Sequence, residues 1–435
     1  MVLSALTGGP RPDEPDHSGL ADVPPHIVEA PEGMRVSRFR NDEGAAIRYA
    51  WVEPPDGKVE RVSILVTGFR ESIERYHELA RELANDGEAV WIMDWRGQGG
   101  SERYDPKMPE RPYAQGYGQD AADLNKFIKD VIRPDERYPG RNKVLHAHSM
   151  GGHISLRFLH DYPDQVDAAV ITSPMMKIWT KGFPPVVAKL VAGLMDRIGQ
   201  GHRYLPREGD WSQRDLKELN QSMQNDRAVR QNLHHLFYRA IPAIRMGGPT
   251  FGWLRAAFKS IRLVNQPKYL ANIKTKMFIA VAGRDKLVQP KATIAAAEHL
   301  ENADVETYPL SQHSLWHESD STRRHLWQKS RAFLERAAPK VDPAKMPTAT
   351  IGAHEGVSVF ASGPEALPAA NDDIRQAAAP ENRLQNQGLP PHAAPQLSGK
   401  RGMIGHHEPH PSQPATAAPY FGRGASAPRQ PAFGT

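Results

Sequence analysis

Short runs of aliphatic residues alternate with amphipathic stretches through the first three quarters of the chain. The runs at 61–66, 89–93 and 168–174 are rich in β-branched residues and too short for buried helices, so they predict buried strands. Between them, apolar residues recur at helical spacing over 73–83 and 120–132. This alternation predicts a mostly parallel sheet covered by helices on both faces.

The pattern continues on both sides of this segment. Residues 35–40 and 45–52 alternate as two strands around the turn sequence N-D-E-G at 41–44, which predicts an N-terminal hairpin. The hydrophobic pattern also predicts a strand at 143–145 that leads into a sharp turn, strands at 276–283 and 305–308, and helices at 291–300 and 322–336. In parallel sheets, functional groups lie at the carboxyl ends of the strands.

A stretch of about 175–272 interrupts the alternation and is too long for a loop. Helical patterns at 186–198, 216–224 and 228–241 predict a helical lid inserted over the ends of the strands. Its aromatic and methionine residues either line an acyl pocket or pack the lid itself.

Composition divides the chain into three parts. Residues 1–33, rich in Pro, Asp and Gly, predict a disordered segment, and 34–338 form the sheet domain. Residues 339–435 predict a disordered tail, with 14 prolines between 343 and 431. The sequence H-H-E-P-H at 406–410 resembles a metal cluster but has no frame around it, so we expect adventitious binding there. No cofactor and no built metal site are expected.

Cysteine content, hydrophobicity and charge limit the expected cellular location and the expected binding partners. The chain has no cysteine, which excludes disulfides and thiolate metal sites. Its first 25 residues lack a signal-peptide pattern, and no apolar run reaches the ~20 residues of a bilayer span, so we expect a cytoplasmic protein. The net charge of the chain is +5, but the segment 174–262 alone carries +9, because it contains 15 basic and six acidic residues. An anionic substrate or peripheral contact with the inner membrane follows from this charge; no nucleic-acid-binding motif accompanies it.

The turn at 147–151 reads A-H-S-M-G, one residue away from the G-x-S-x-G nucleophile elbow of serine hydrolases. A strand precedes it and a helix follows, so Ser149 is placed on a tight turn at a helix N-terminus, where a hydroxyl can be activated. Gly151 and Gly152 leave out side chains where the turn brings helix and strand together.

A serine nucleophile needs a base and an acid that orients it, and in this type of fold they follow in the order Ser, Asp, His. Asp285 comes just after the strand at 276–283, and His313 just after the last strand. His317 is the rival base, one helical turn further on. We expect packing roles for the histidines near the elbow, which are His146, His148 and His153.

The tetrahedral intermediate needs two backbone N–H donors for its oxyanion. We predict that these are Met150, at the start of the elbow helix, and Phe69, in the loop after the strand at 61–66. Ser149 then attacks the carbonyl while His313 takes its proton, and water later releases the acyl group.

Several spaced motifs together resemble the lysophospholipase and monoacylglycerol lipase branch of the α/β-hydrolases, whose domain is also described as serine aminopeptidase-like. The likeness covers about 35–337 and implies an α/β-hydrolase fold with an inserted helical lid. Its motifs are G-F-R-E-S-I-E-R-Y at 68–76, D-W-R-G-Q-G-G-S at 94–101, H-S-M-G-G-H at 148–153, the lid motif at 247–254, and His313 followed by Glu318 and Asp320.

Four positions depart from the pattern of that branch. Ala147 and Thr67 stand where relatives have Gly and His, and Leu310 and Ser314 replace the Gly and Glu that surround the histidine. These departures bear on substrate preference more than on activity.

The leading hypothesis is a serine carboxylic-ester hydrolase that acts on a small single-chain lipid ester, a lysophospholipid or a monoacylglycerol. The alternatives are an aminopeptidase or amide hydrolase of the same fold, and a non-catalytic binding protein that uses the tail. The sequence leaves open the headgroup, the acyl chain length, the oligomeric state, and transacylation in place of hydrolysis.

Overall fold

The computed structural model describes residue 16 and residues 18–132, 137–180, 182–212 and 225–345. The predicted helix at 216–224, the sequence at 406–410 and nearly all of the predicted tail lie outside these residues.

A single eight-stranded sheet forms the centre of the described chain. The strand order is β1-β2-β4-β3-β5-β6-β7-β8, with β1–β2 and β2–β4 antiparallel and every other neighbouring pair parallel. This confirms the predicted hairpin and the mostly parallel sheet. The strands are β1 Arg35–Arg40, β2 Ala46–Val52, β3 Arg61–Val66, β4 Glu88–Met93, β5 Lys143–His148, β6 Ala168–Thr172, β7 Lys276–Ala282 and β8 Ala303–Tyr308.

Helices connect the strands and follow the predicted pattern where it is amphipathic. Proline in the first turn begins α2, α6, α9 and α10, where its missing N–H costs no hydrogen bond. The helices are α1 Ser18–Ala21, α2 Pro25–Val28, α3 His77–Asn85, α4 Tyr117–Lys126, α5 Ser149–Asp161, α6 Pro185–Arg197, α7 Asp226–Ala240, α8 Phe251–Val264, α9 Pro267–Ala271, α10 Pro290–Ala297 and α11 Asp320–Ala337. None of the helices in the described ranges is long and apolar enough to cross a membrane.

Side chains from the central strands point alternately to the two faces of the sheet. Ile64 packs with the face covered by α4, α5 and α8, whereas its neighbour Leu65 packs with the face covered by α3 and α11. β3, β4 and β6 are buried along their whole length. Their near-continuous apolar sequence therefore reflects burial on both sides.

Residues 18–33 differ from the prediction of a disordered N-terminal segment. The short helices α1 and α2 bury Leu20, Val23, Ile27 and Val28 in a cluster with side chains of α7. The ring N–H of His77 in α3 donates to the Val28 carbonyl over 2.8 Å. These few apolar residues gain burial only because a distant part of the chain supplies the facing surface, which local composition does not reveal.

The insertion, residues 173–275 between β6 and β7, contains α6 to α9. It contacts the loop that follows β3: the Trp253 ring lies 4.2 Å from the Phe69 ring, and the Tyr238 hydroxyl donates to the Arg70 carbonyl over 2.8 Å. Helix α8 was not predicted; the Thr250 side chain accepts from Trp253 N at its start and defines its N-terminus.

Candidate active site

The turn from β5 into α5 places Ser149 in an unusual backbone conformation. Its φ of +52° lies in the left-handed region, which is strained for a residue with a side chain. A Cβ atom on Gly151 would lie 2.4 Å from the Thr67 carbonyl oxygen, so only glycine lets α5 approach the end of β3 this closely. The predicted close approach of helix and strand is confirmed, and the serine side chain projects at the carboxyl edge of the sheet.

Ser149, His313 and Asp285 form a continuous hydrogen-bonded chain at that edge. The Ser149 Oγ lies 2.7 Å from His313 Nε2, and His313 Nδ1 lies 2.5 Å from Asp285 Oδ2. The other Asp285 oxygen accepts from the backbone N–H groups of Leu287 and Val288. With Nδ1–H donating to the carboxylate, Nε2 is free to accept the serine proton.

His317 points away from this chain. It lies in the 3₁₀ turn Leu315–His317, and its Nε2 is 3.0 Å from the Arg75 carbonyl oxygen. Burial lowers the pKa of His317 well below its ordinary value. The structure thus brings His313, and not the rival His317, to Ser149.

The histidines around the elbow are buried within the fold. Ser63 Oγ lies 3.0 Å from His146 Nε2, and Ser260 Oγ lies 2.8 Å from His153 Nε2. Burial lowers the pKa of both histidines to about 3, so they are neutral at physiological pH. These contacts match the packing roles that we expected from the sequence.

Glu71 is a site residue that reasoning from chemistry alone missed. Its Oε2 accepts from the Gly68 N–H and the Tyr76 hydroxyl, each over 2.6 Å, and Arg75 pairs with its Oε1 at 2.9 Å. Burial by itself raises the pKa of Glu71, but the Arg75 guanidinium and the nearby histidines bring it to about 2. The ionised carboxylate therefore ties down the loop that carries Phe69. The motif at 68–76 includes Glu71, so the sequence did contain a signal for this residue.

His148 lies between Glu71 and the hydrogen-bonded chain. Its Nδ1 is 3.0 Å from Thr172 Oγ1, and its ring centre is 4.7 Å from that of His313. Burial lowers the pKa of His148 to about 4. A neutral His148 puts no positive charge beside His313 when that ring takes up a proton.

The two predicted oxyanion donors lie in the segments that flank Ser149. Phe69 belongs to the turn after β3, and Met150 is the second residue of α5, where a backbone N–H has no partner inside its own helix. Their role stays a prediction. Within the described ranges, no group of three His, Asp or Glu side chains is placed to hold a metal ion.

The loop that carries His313 is held by Glu318 and is connected to the insertion. Glu318 Oε1 accepts from Gln312 N over 2.9 Å and from Arg227 of α7 over 3.0 Å. Two residues further on, Asp320 pairs with Arg230 of α7 at 2.7 Å. Glu318 and Asp320 thus connect the segment that follows His313 to a helix from a distant part of the chain.

The chain is similar to known hydrolases in sequence. Residues 57–320 match the family model described as serine aminopeptidase, S33. A probable lysophospholipase L2 from Haemophilus influenzae is 29% identical over 72% of this chain and 95% of its own length. A monoacylglycerol lipase from Mycolicibacterium smegmatis is 22% identical over 61% of this chain and 85% of its own.

Solved structures show the same fold. A soluble variant of monoglyceride lipase from Saccharomyces cerevisiae, in complex with a substrate analog, aligns with a TM-score of 0.57. The alignment covers 72% of this chain and 97% of that one, at 18% identity. The low identity limits this likeness to the architecture.

Proposed function

Because this chain belongs to the serine aminopeptidase S33 family of α/β-hydrolases, in its lysophospholipase and monoacylglycerol lipase branch, we propose that Ser149, His313 and Asp285 hydrolyse single-chain lipid esters. One observation carries the proposal. A serine in a left-handed turn, at a strand end, is hydrogen-bonded to a histidine that is itself hydrogen-bonded to a buried aspartate.

The reaction proceeds through an acyl-enzyme. Ser149 Oγ attacks the ester carbonyl carbon as its proton passes to His313 Nε2, and Asp285 stabilises the imidazolium. The tetrahedral intermediate collapses, and His313 gives the proton to the departing alcohol. Water, deprotonated by His313, then attacks the acyl carbon and releases the fatty acid and the free serine.

The oxyanion is bound by the backbone N–H groups of Phe69 and Met150. One such donor contributes on the order of 10²–10³ in rate. Glu71 and Arg75 support the Phe69 side of this site through the contact to Gly68 N.

The substrate carries one acyl chain, on a lysophospholipid or a monoacylglycerol. The names of the curated relatives support both choices. The +9 charge over 174–262 favours a substrate in an anionic membrane surface. We place the protein on the cytoplasmic side, peripheral to the inner membrane, with residues 34–338 as the hydrolase domain and about 175–272 as its lid.

The test compares the purified full chain with Ser149→Ala, His313→Asn and His317→Asn. The substrates are a lysophospholipid, a monoacylglycerol, a short p-nitrophenyl ester and an aminoacyl anilide. We expect Ser149→Ala and His313→Asn to lose at least about 10⁴ in kcat on the esters, because each removes a member of the triad. His317→Asn is the matched control and should stay within about tenfold of the wild type, because His317 contacts Arg75 and not Ser149.

Three other results would each contradict a different part of the proposal. Anilide cleavage that exceeds ester cleavage would assign the protein to the peptidases. Full ester hydrolysis by Ser149→Ala would contradict the proposed nucleophile. No turnover of any substrate by the wild type would contradict an enzymatic role.

A further inference from the structure

Arg70, in the loop after β3, has a backbone conformation that few residues with side chains adopt. Its φ of +62° lies in the left-handed region, where glycine would fit without strain. The Gln98 side chain accepts from Arg70 N over 2.9 Å, and the Tyr238 hydroxyl donates to the Arg70 carbonyl over 2.8 Å. Because both backbone groups are held, the direction in which the side chain leaves the backbone is fixed. A strained arginine next to Phe69, the proposed oxyanion donor, indicates that its side chain serves the reaction.

The Arg70 guanidinium is half-buried and has no carboxylate partner among the described residues. Its Nε donates to the Met246 carbonyl over 3.2 Å. Glu71, the next residue in the chain, pairs with Arg75 instead, at 2.9 Å. The two Nη groups of Arg70 therefore have no acceptor in the part of the chain that the structure describes.

Arg103 places a second half-buried guanidinium against the same residue. It donates to Met246 Sδ over 2.5 Å. Its other hydrogen bonds go to the carbonyls of Gly97, Gly99 and Ala243. Asp94 and Glu110, the carboxylates whose charges act on Arg103, accept hydrogen bonds from other groups. Within the described ranges, two cations thus meet at Met246 without a paired anion, and an anionic ligand would stabilise them.

We propose that Arg70 binds the headgroup phosphate of a lysophospholipid while the ester lies at Ser149, so that this substrate is preferred over a monoacylglycerol. This inference rests on the proposed function and chooses between the two substrates that it leaves open. The planar guanidinium presents parallel N–H donors, a geometry that matches two oxygens of a phosphate. Arg103 adds positive charge nearby and strengthens the attraction.

The place of Arg70 in the chain suits this role. Arg70 directly follows Phe69, and neighbouring Cα atoms lie about 3.8 Å apart. In a lysophospholipid, the glycerol unit joins the phosphate to the ester over a few bonds. When the Phe69 N–H binds the carbonyl oxygen, the phosphate therefore comes within reach of the long side chain of the next residue. A monoacylglycerol has a hydroxyl in place of the phosphate and offers the arginine no charge.

The experiment measures kcat and KM of the full chain on a lysophosphatidylethanolamine and a monoacylglycerol with the same short acyl chain. A short chain keeps both substrates monomeric in solution, so the comparison excludes any effect of a lipid surface. The test variants are Arg70→Gln, which removes the charge, and Arg70→Lys, which keeps the charge but not the parallel donors. Arg207→Gln is the matched control, because Arg207 also has a left-handed φ, +70°, and is exposed in the insertion.

We expect the wild type to have the higher kcat/KM on the lysophospholipid. Arg70→Gln should lose about 10- to 100-fold more kcat/KM on the lysophospholipid than on the monoacylglycerol, mainly through KM, because charge-assisted hydrogen bonds to the phosphate are removed. Arg70→Lys should recover part of this preference. Arg207→Gln should keep the wild-type ratio of the two substrates.

Equal losses of Arg70→Gln on the two substrates would overturn the inference, because Arg70 would then only position the loop that carries Phe69. A wild type that prefers the monoacylglycerol would overturn it as well. Both results differ from a failure of the proposed function, in which the wild type hydrolyses neither lipid nor a short p-nitrophenyl ester.

Discussion

Ser149 stands in a backbone conformation with φ of +52°, which costs about 1–2 kcal/mol for a residue with a side chain. Packing around the turn offsets this cost. Gly151 lets α5 come against the Thr67 carbonyl, and Met175 N donates to the Ser149 carbonyl over 3.0 Å. The strain aims the hydroxyl at His313, which is how a common residue becomes a candidate nucleophile.

Glu71 holds the loop that carries Phe69 through its contact to the Gly68 N–H. Glu71→Gln should lower kcat about 10- to 100-fold and leave KM within about threefold, because the Gly68 N–H loses its anionic partner and the loop with the Phe69 donor shifts. Initial rates on a short p-nitrophenyl ester separate the two constants.

Tyr76→Phe is the control for this effect. It removes one donor to Glu71 but keeps the contacts to Gly68 and Arg75. We expect kcat of Tyr76→Phe within about fivefold of the wild type. A change confined to KM in Glu71→Gln would show that Glu71 affects substrate binding and does not position the oxyanion loop.

At the scale of elements, the parallel sheet brings together the loops after β5, β7 and β8, since parallel strands end at the same edge. The loop after β8 carries His313. Glu318 holds this loop by accepting from Gln312 N, next to His313, and it also pairs with Arg227 of α7.

We predict that Glu318→Ala lowers kcat about tenfold with little change in KM, because the His313 loop loses its buried anchor. Arg227→Ala should lower kcat less than about threefold, since the Arg227 side chain is 39% exposed and Glu318 keeps its contact to Gln312 N. The pH profile of kcat should also shift in Glu318→Ala. Equal losses in the two variants would mean that the insertion, and not Glu318 itself, positions the histidine.

At the scale of the whole molecule, buried histidines couple stability to pH. Burial lowers the pKa of His153 from 6.5 to about 3. The neutral ring contributes its full stability above pH 6.5, and this contribution falls as pH decreases toward the folded-state pKa, because the unfolded chain then binds a proton that the folded chain does not.

His153→Gln should therefore make the fall in unfolding free energy between pH 6 and pH 4 shallower by about 1.4 kcal/mol per pH unit. Urea unfolding at several pH values measures the slope. Ser260→Ala is the control: it removes the hydrogen-bond partner, lowers stability and leaves the slope unchanged. An unchanged slope in His153→Gln would contradict a neutral buried ring.

Asp120 acts in the opposite direction. Burial and Asp123 raise its pKa to about 7, so its contribution to stability grows as pH falls through that value. It is present in the wild type and in both variants and cancels in the comparison.

The sequence by itself determined where most strands lie and that the sheet is mostly parallel. The apolar runs at 61–66, 89–93 and 168–174 form β3, β4 and β6. A strand that is buried on both faces has apolar residues at consecutive positions, and such a run can be recognised in the sequence. The order of Ser149, Asp285 and His313 after three strands was also readable, and the structure brings these side chains together.

Only the tertiary structure decided the rest. The burial of Leu20, Val23, Ile27 and Val28, the contact of the His313 loop with α7, and the exposure of the apolar side chains of α6 depend on segments far away in sequence, or on the absence of a partner within the described ranges. A helical pattern states that a helix has an apolar face, but not whether that face meets protein or solvent. Local sequence encodes periodicity, whereas contacts between distant segments arise only when the chain has folded.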